Sequence, residues 1–343
     1  MSNKIDVLIV GAGPVGLNMA LALHSQGVVC RIIDAKSGPA ATSNAIGINA
    51  RTLEIWQTLG CASLAIEHGL KLKEVKLFNG VKMLNYAPFN KIDSQFNFML
   101  SLPQSENEAL LIAQLAKHNI QVEWNRELVQ LQDGVDEVNL VCKTKENLEE
   151  ISAKWVIGCD GYHSSVRNLA GFEWQCQAPR QHFIIMDGEV GSDIEKEDIS
   201  VIFHPAGILL FFPMKNNKIR IVAEISNDPK YKDLKVGTRD AFTDILKERY
   251  TSLSIESVDW LSGFYIHECI VDNFKQGRVI LAGDAAHSHS PAGGQGMNTG
   301  IQDTWNLAWK LGHVVRGEAN PVLLDSYNIE RRGIANEDRK SVV

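Results

Sequence analysis

The sequence lacks the features that mark several classes of protein. Its 343 residues contain no apolar run long enough to cross a bilayer and no internal repeat. Lys and Arg are not clustered, and the net charge of -7 at pH 7 disfavours binding to nucleic acid, which is a polyanion. A first strand that starts by Ile5 leaves no room for a signal peptide. We therefore predict a globular, cytoplasmic protein with no membrane span and no nucleic-acid partner.

Metal and disulfide signatures are also missing. The six cysteines form no C-x-x-C pair, and they are scattered as Cys30, Cys61, Cys142, Cys159, Cys176 and Cys269. Neither a disulfide framework nor a zinc site is indicated, and we predict reduced, mostly buried thiols. His287 and His289 lie near Asp284, but no third ligand follows at a recognisable spacing. This pattern favours loop or capping roles, so we predict no metal site.

A glycine motif near the N-terminus predicts a dinucleotide site. Residues 5–10 are a short apolar run, residues 17–27 are an apolar helical stretch, and between them lie Gly11, Gly13 and Gly16 in G-x-G-x-x-G spacing. Strand, tight turn and helix are in the order that this motif requires. Gly11 permits the turn, Gly13 lets a pyrophosphate approach the backbone, and Gly16 lets the helix pack against the strand. The phosphates would then bind free N–H groups at the helix start.

A second apolar run, residues 28–33, ends in Asp34. An acid about twenty residues beyond the glycines accepts hydrogen bonds from an adenosine ribose. The alternative is a glycine-rich turn in an unrelated sheet, which the combination of strand, helix and acid disfavours. The motif alone does not separate NAD from FAD.

A second ligand-contacting segment, residues 277–300, lies far from the first. Residues 279–282 have the pattern of a buried strand that leads into Gly283 and Asp284, and a helix ending near Leu311 follows a loop that contains Gly293, Gly294 and Gly296. An acid beside a glycine loop and a helix N-terminus offers a hydroxyl acceptor and an anion site together. A nicotinamide dehydrogenase does not need such a second segment to bind its cofactor, whereas a protein that binds FAD tightly does need one.

This late segment resembles the Gly-Asp motif of the FAD-dependent aromatic hydroxylases, the family of para-hydroxybenzoate hydroxylase and phenol hydroxylase. The resemblance implies that Asp284 binds the ribityl chain of FAD and that Pro291 lies against the isoalloxazine. It also implies that the backbone at Met297 and Asn298 meets the pyrimidine edge of the flavin.

Other segments resemble the same family in the same order. Residues 158–167 look like the Asp-Gly motif, whose Asp and Arg organise the flavin and nicotinamide regions. Residues 50–54 resemble the segment whose Arg, here Arg51, reaches the FAD pyrophosphate. Gln104 opens a helix and matches a Gln that faces the flavin side chain, and Leu128 more weakly matches a strand residue whose backbone meets the adenine. Together the motifs predict that FAD contacts Gly11, Gly13, Val15, Gly16, Asp34, Arg51, Gln104, Leu128, Asp160, Arg167, Gly283, Asp284, Pro291, Gly294, Gly296, Met297 and Asn298.

Taken singly, these matches have structural alternatives. Arg51 also fits a surface charge at a helix start, Asp160 a turn former and Gln104 a polar helix start. Five main matches in family order, from residue 11 to residue 298, disfavour coincidence. One departure is visible, because residues 43–45 read Ser-Asn-Ala where many relatives have Ser-Arg-Ala. A positive charge that could contact a nicotinamide phosphate is missing there.

The nucleotide-binding pattern is discontinuous along the chain. We assign residues 1–75, 101–172 and 274–343 to an FAD-binding domain, and residues 76–100 and 173–273 to an inserted substrate-binding domain. The main insert has strand patterns at 182–190, 199–204, 207–213, 218–226 and 260–270, and a helix pattern at 238–249. We predict an α/β protein (α+β overall), in which a Rossmann-like FAD-binding domain carries a mostly antiparallel β-sheet that roofs a ligand cavity.

The resemblance implies a single-component flavin monooxygenase. In such an enzyme NAD(P)H reduces FAD, the reduced flavin adds O2 at C4a, and the hydroperoxide hydroxylates a small, phenol-like aromatic ring. Only one full G-x-G-x-x-G is present, so NAD(P)H would bind transiently across the two domains. The oligomeric state stays open, with a homodimer as one alternative.

The substrate is weakly specified. Side chains on the inserted strands that could line an apolar pocket are Phe203, Phe212, Met214 and Tyr265, although any sheet core needs such residues. The candidates for a catalytic role are Pro291, His204 and His267. Either histidine could take a phenol proton, or it could be a core histidine. Rival functions are a quinone-ring hydroxylase, a prenyl reductase, a halogenase and a flavin-binding sensor without turnover, although the halogenase W-x-W-x-I-P motif is absent.

Overall fold

The computed structural model describes residues 4–40, 45–176, 181–191, 197–250, 253–288 and 295–340. Its strands are β1 (Lys4–Val10), β2 (Cys30–Asp34), β3 (Gly47–Ile48), β4 (Leu70–Leu72), β5 (Glu74–Asn79), β6 (Lys82–Pro88), β7 (Met99–Ser101), β8 (Val122–Trp124), β9 (Glu127–Asp133), β10 (Val138–Lys143), β11 (Leu148–Gly158), β12 (Trp174–Cys176), β13 (His182–Gly191), β14 (Ile199–Phe203), β15 (Leu209–Pro213), β16 (Lys218–Glu224), β17 (Ser254–Tyr265), β18 (Cys269–Val271), β19 (Lys275–Gln276), β20 (Val279–Leu281) and β21 (His287–Ser288). Its α-helices are α1 (Pro14–Ser25), α2 (Ala50–Thr58), α3 (Ala62–His68), α4 (Gln104–Lys117), α5 (Ser165–Leu169), α6 (Arg239–Arg249), α7 (Gln295–Val315) and α8 (Asp325–Lys340).

A largely parallel sheet forms the first layer. Strands β20, β11, β1, β2 and β8 lie side by side and parallel, and β9 and β10 extend β11 as an antiparallel meander. Residues 7–9 of β1 are fully buried, as expected for a parallel strand covered on both faces. Helix α1 follows β1 and packs against α4 and α7. This arrangement confirms the predicted α/β class and its Rossmann-like core.

The second large sheet has the order β17-β13-β16-β15-β14-β5-β6, and all neighbours in it are antiparallel except β14 and β5. Ile184 and Met186 of β13 point to one face, where they form a separate core with Ala241 and Phe242 of α6. Because side chains alternate along a strand, their neighbours on β13 face the other way. One face of this sheet therefore packs on α6, and the other is free for a ligand. The domain boundaries themselves stay a prediction.

Of two elements that the hydrophobic pattern predicts in the insert, the helix is present and the strand has different bounds. The predicted helix at 238–249 is α6, and the hydroxyl of Thr238 caps it by accepting a hydrogen bond from the N–H of Ala241 at 3.2 Å. The predicted strand at 260–270 is wrong in extent. Its first part belongs to β17, and β18 pairs instead with β12 and β21 in a small separate sheet.

The prediction that all cysteines are reduced is wrong for one pair. Cys176 and Cys269 form a disulfide, and they lie directly opposite each other on β12 and β18. The pair is separated by 93 residues, so only the folded register of two short strands brings it together. The other four cysteines are free thiols, and burial raises the pKa of Cys30 and Cys61 to about 12.

Two classes of feature are absent from the residues that the structure describes. None of their helices is both long enough and apolar enough to span a membrane. No group of three or more His, Cys, Asp or Glu side chains within the same ranges could hold a metal ion.

Candidate FAD and substrate site

One cavity of about 870 Å³ joins the two layers. At one side it is lined by residues that follow the carboxyl ends of the parallel strands, the usual ligand position in such sheets: Gly11, Gly13, Asp34, Asp160 and Asp284. At the other side it is lined by the free face of the inserted sheet, which supplies Phe183, Ile185, Leu210, Phe212, Val222 and Phe264. A dinucleotide and an apolar ring therefore fit into a single continuous space.

The glycine turn at residues 11–13 is shaped for a phosphate group. Gly11 has a φ of +101°, and a Cβ there would lie 2.5 Å from the carbonyl oxygen of Cys159. A Cβ on Gly13 would meet nothing within 4 Å, because this residue faces the cavity. No side chain caps the N-terminus of α1, so its first N–H groups are available to an anion. These features fit the pyrophosphate of FAD.

Asp34, at the end of β2, is only 8% exposed and lines the cavity. Its carboxylate accepts hydrogen bonds from the backbone N–H groups of Ala12 at 2.7 Å and Lys36 at 2.8 Å. A carboxylate has about four acceptor positions, so capacity remains for ribose hydroxyls. Asp34 therefore also anchors the glycine turn, a second role that the motif did not indicate. Leu128 and Arg126 line the same end of the cavity.

The Gly-Asp turn (Gly283–Ala285) packs tightly against the start of α1. A Cβ on Gly283 would lie 3.0 Å from Cγ2 of Val15, and a Cβ on Gly300 of α7 would lie 2.6 Å from the same atom. Val15 therefore helps to set the distance between the turn and α7. The side chain of Asp284 is accessible from the cavity. Desolvation by the surrounding protein raises the pKa of its carboxyl, and His287 acts in the opposite direction.

The first turn of α7 is held by the side chain of Asn298. Its amide oxygen accepts hydrogen bonds from the N–H of Asn49 at 3.1 Å and the hydroxyl of Thr52 at 2.7 Å, and its amide nitrogen donates to the carbonyl of Gly47 at 2.9 Å. Met297 and Gly296 line the cavity, whereas the Asn298 side chain points to the α2 side. The predicted contacts at Pro291 and Gly294, together with His289, lie outside the described residues.

The Asp-Gly segment brings its two predicted residues to different places. Asp160 lines the cavity, but its carboxylate also accepts hydrogen bonds from the hydroxyl of Ser164 at 2.5 Å and the N–H of Val166 at 3.1 Å. Burial raises its pKa. Arg167 is buried and is not among the lining residues. It donates to the carbonyls of Ala285 at 3.2 Å and Tyr162 at 2.7 Å, so it joins this segment to the Gly-Asp turn.

Two further predicted contacts differ in position. Gln104 lines the cavity and donates from its amide to Glu108 at 2.8 Å. Arg51 is exposed, pairs with Glu54 at 2.9 Å and is not among the lining residues. Both the surface alternative and the predicted contact of Arg51 with the FAD pyrophosphate therefore stay predictions. Residues 43 and 44, where the family arginine is missing, lie outside the described part of the chain.

The substrate candidates differ in whether they reach the cavity. Phe212, Tyr265 and His267 line the cavity, whereas Phe203, His204 and Met214 are not among its lining residues. Phe203 is 44% exposed and Met214 is buried elsewhere. His204 accepts a hydrogen bond from the N–H of Ala206 at 3.2 Å through Nδ1, which is a turn contact.

The sequence reasoning missed Arg220. This residue lines the cavity, is 1% exposed, and donates two hydrogen bonds of 2.7 Å to the carboxylate of Asp187. Its guanidinium lies 5.4 Å from the ring centre of Trp260. The sequence contains a signal that could have identified this residue. Arg220 lies in the predicted strand at 218–226 on the same face as Val222, and a charged residue in a buried strand needs a partner.

A nucleotide turn, a second acidic turn and an apolar roof around one cavity define a flavin dinucleotide-binding protein. A family model described as FAD binding domain matches residues 4–339. The chain belongs to this family, that of the FAD-dependent aromatic hydroxylases, and its cofactor is FAD. The resemblance drawn from the sequence is confirmed.

Curated relatives include 6-methylpretetramide 4-monooxygenase from Streptomyces rimosus, which is 32% identical over 328 residues, covering 95% of this chain and 59% of the relative. Pentachlorophenol 4-monooxygenase from Sphingobium chlorophenolicum is 32% identical over 336 residues, covering 96% and 62%. The chain thus spans about three fifths of the length of these relatives.

Solved structures show the same fold. An anhydrotetracycline hydroxylase from Streptomyces rimosus has a TM-score of 0.82 at 30% identity, covering 98% of this chain and 67% of that one. A p-nitrophenol 4-monooxygenase from Pseudomonas putida has a TM-score of 0.89 at 24% identity, covering 99% and 87%. The latter likeness concerns the fold alone.

Replacing Asp34 tests the adenosine end of the site. We expect Asp34→Ala to raise the dissociation constant of FAD about tenfold to a hundredfold, because a charged acceptor for the ribose and the anchor of Ala12 are both lost. Titration of the apoprotein with FAD, followed by flavin fluorescence, measures the change. Asp6→Ala is the control, since Asp6 lies on β1 of the same sheet but pairs with Lys154 at the surface. A folded Asp34→Ala protein with native FAD affinity would contradict the assignment.

Proposed function

We propose that the protein is a monooxygenase that uses FAD, NAD(P)H and O2 to hydroxylate a small, phenol-like aromatic ring. One observation carries this proposal: the cavity runs without interruption from the FAD-binding turns to the apolar face of the inserted sheet. When bound, FAD supplies reduction by NAD(P)H, reaction with O2 at C4a and transfer of one oxygen atom to the ring. We place this activity in the cytoplasm, where NAD(P)H is available.

The protein's own contribution is to orient the ring and exclude water. Phe212, Val222 and Phe264 cover the substrate end of the cavity with apolar surface. Such a roof keeps water from the reacting atoms and restricts the ring to a few orientations. The N-terminus of α7 beside Met297 favours negative charge at the pyrimidine edge of a reduced flavin. The three hydrogen bonds of Asn298 keep this helix start in place.

The polar groups at the substrate end support a neutral phenol rather than a free anion as substrate. Arg220 is the buried cation at this end, and both of its hydrogen bonds to Asp187 neutralise it. Tyr265 and His267 also line the cavity, and we propose that they meet the substrate hydroxyl. The two relatives above are named for phenolic or polyketide substrates, which supports an aromatic ring of this kind.

Stimulated cofactor oxidation tests the proposed activity. We expect phenols to accelerate NAD(P)H oxidation by the FAD-loaded protein and to yield hydroxylated products, because a ring under the roof gives the oxygen atom an acceptor. The measurement follows NAD(P)H absorbance and product formation over a panel of phenols, with benzoates and aliphatic alcohols as controls. A slow rate that no aromatic compound changes would indicate a flavin-binding protein without turnover.

Neighbouring phenylalanines on β15 test the role of the roof. We expect Phe212→Leu to keep FAD but to release more hydrogen peroxide per NAD(P)H, because the ring is then less well placed. Phe211→Leu is the matched control, since Phe211 packs in the α6 core on the opposite face. Phe211→Leu should lower the melting temperature and leave the coupling of NAD(P)H oxidation to hydroxylation unchanged.

Asp284→Ala should instead lose FAD and depress turnover with every substrate. Loss of flavin from the Phe212 variant, with full occupancy in the Asp284 variant, would reverse these roles.

A further inference from the structure

Asp303 of α7 is a fully buried carboxylate behind the Gly-Asp turn. Its Oδ2 accepts hydrogen bonds from the N–H of Gly283 at 3.1 Å and from Nε2 of His287 at 2.6 Å. Its Oδ1 accepts one from Nε of Arg331 at 2.6 Å. The three donors belong to the turn, to β21 and to α8. One carboxylate therefore joins three segments to the helix whose first turn lines the cavity.

The charge of Asp303 is secured by its partners. Burial acts to raise the pKa of this carboxyl, but His287 and Arg331 outweigh burial and hold the pKa at about 2. The group is thus ionised at any working pH, and Nε2 of His287 carries the proton of their hydrogen bond. Arg331 also donates to the carbonyl of Thr299 at 3.3 Å, and Tyr327 donates to the carbonyl of Leu281 at 2.8 Å. Helix α8 thereby supports both α7 and the end of β20 that leads into the Gly-Asp turn.

We propose that Asp303 is a positioning residue for FAD. The carboxylate sets the separation between the turn that carries Asp284 and the start of α7, the two elements assigned to the ribityl chain and the pyrimidine edge. The side chain of Val15 lies between Gly283 of the turn and Gly300 of α7. This steric contact sets only the shortest distance between the turn and the helix. The hydrogen bonds of Asp303 define how far apart and at what angle they lie. The inference rests on FAD binding and not on the proposed hydroxylation.

Asp303→Asn tests this inference, because the amide keeps the shape but places an N–H against one of the three donors. We expect the dissociation constant of FAD to rise about tenfold to a hundredfold. We also expect the visible absorption and circular dichroism bands of the bound flavin to shift. Asp228→Asn is the matched control. Asp228 is also buried and accepts hydrogen bonds from Arg249 at 2.8 Å and from backbone N–H groups, but it is outside the cavity lining.

The control should lose thermal stability and keep native FAD affinity and flavin spectra. If Asp303→Asn changes stability alone, as Asp228→Asn does, Asp303 is merely structural and the proposal fails. Should Asp303→Asn not fold, His287→Leu and His287→Gln decide the question. Gln can place a donor where Nε2 lies and should restore the FAD affinity that Leu loses. Equal, native affinity in both His287 variants would overturn the proposal.

The disulfide Cys176–Cys269 supports a second, independent inference. Strand β12 leads from α5 into the inserted sheet, and β18 leads back towards β19 and β20, so the disulfide ties together an outgoing and a returning connection. Cys269 also lies opposite Ser288 on β21, and Ser288 lines the cavity. Its sulfur is 4.0 Å from the hydroxyl of Tyr162, another lining residue.

The two sulfurs differ in access. Cys176 is exposed, whereas Cys269 is 1% exposed. A thiolate from solvent can therefore attack Cys176, and Cys269 is then the leaving thiolate. Burial raises the pKa of the free thiols Cys30 and Cys61 to about 12 and of Cys142 to about 11, and it raises that of Cys159 as well. These four thiols are therefore poor nucleophiles, whereas the disulfide offers an exposed sulfur to an attacking thiolate.

We infer that Cys176–Cys269 is a reversible redox site that holds the roof over the cavity. A dithiol reductant attacks Cys176 to form a mixed disulfide and release the Cys269 thiolate. The second reductant thiol then displaces Cys176, which leaves two protein thiols and an oxidised, cyclic reductant. With the two connections no longer joined, the sheet can separate more easily from the FAD-binding turns.

The test compares FAD-loaded protein before and after native treatment with dithiothreitol. We expect alkylation in denaturant to label Cys176 and Cys269 only in the sample that was first reduced, and FAD to dissociate about threefold faster from the reduced form. FAD should dissociate from the Cys176→Ser variant as fast as from the reduced protein, and dithiothreitol should not change this rate. The Cys142→Ser variant should release FAD at the rate of the native protein. Alkylation of both cysteines without reductant would overturn the inference, as would equal FAD dissociation from both redox forms.

Discussion

The parallel pairing of β1, β11 and β20 is the constraint on which the site depends. In this register Val10 lies beside Gly158, and Gly158 lies beside Leu281. The three strands therefore end at one edge of the sheet and deliver the glycine turn, the Asp-Gly segment and the Gly-Asp turn to the same place. The approach is so close that Gly11 leaves no room for a Cβ against Cys159. Segments about 150 and 270 residues apart along the chain thus become one binding surface.

Alternation along the strands supplies the other half of the site. The inserted sheet buries one face against α6 and offers the other to the cavity, so adjacent residues have unrelated duties. Phe211 belongs to a core and Phe212 to the roof. The same alternation places Arg220 in the cavity, where its charge is compatible with an apolar surface because Asp187 matches it with two hydrogen bonds. On β15 and β16 the roof is therefore defined by the alternation of side chains and not by composition alone.

The fold class and much of the cofactor site could be predicted from sequence because their signals are local. The glycine spacing, the position of Asp34 and the Gly-Asp segment each lie within about thirty residues. The other features depend on how separate elements pack together. Phe203 and Phe212 look alike until the folded structure shows that only Phe212 reaches the cavity, and no local pattern joins Cys176 to Cys269 or Asp303 to Arg331. Asp34 itself had a second role, as the anchor of Ala12, that only the folded turn reveals.

The distribution of charge around the cavity favours backbone groups for part of the proposed FAD binding. Four carboxylates, Asp34, Glu127, Asp160 and Asp284, line the cavity, whereas Arg51 and Arg167 are turned to other partners. The cations Lys36 and Arg220 also line it. Arg126 does line the adenosine end, but it pairs with Glu123 and Glu149. A pyrophosphate can use the uncapped N–H groups of α1, whose position Asp34 helps to fix through the glycine turn. Because the acid proposed to bind the ribose also anchors this turn, we expect a change at Asp34 to affect the adenosine and phosphate contacts together.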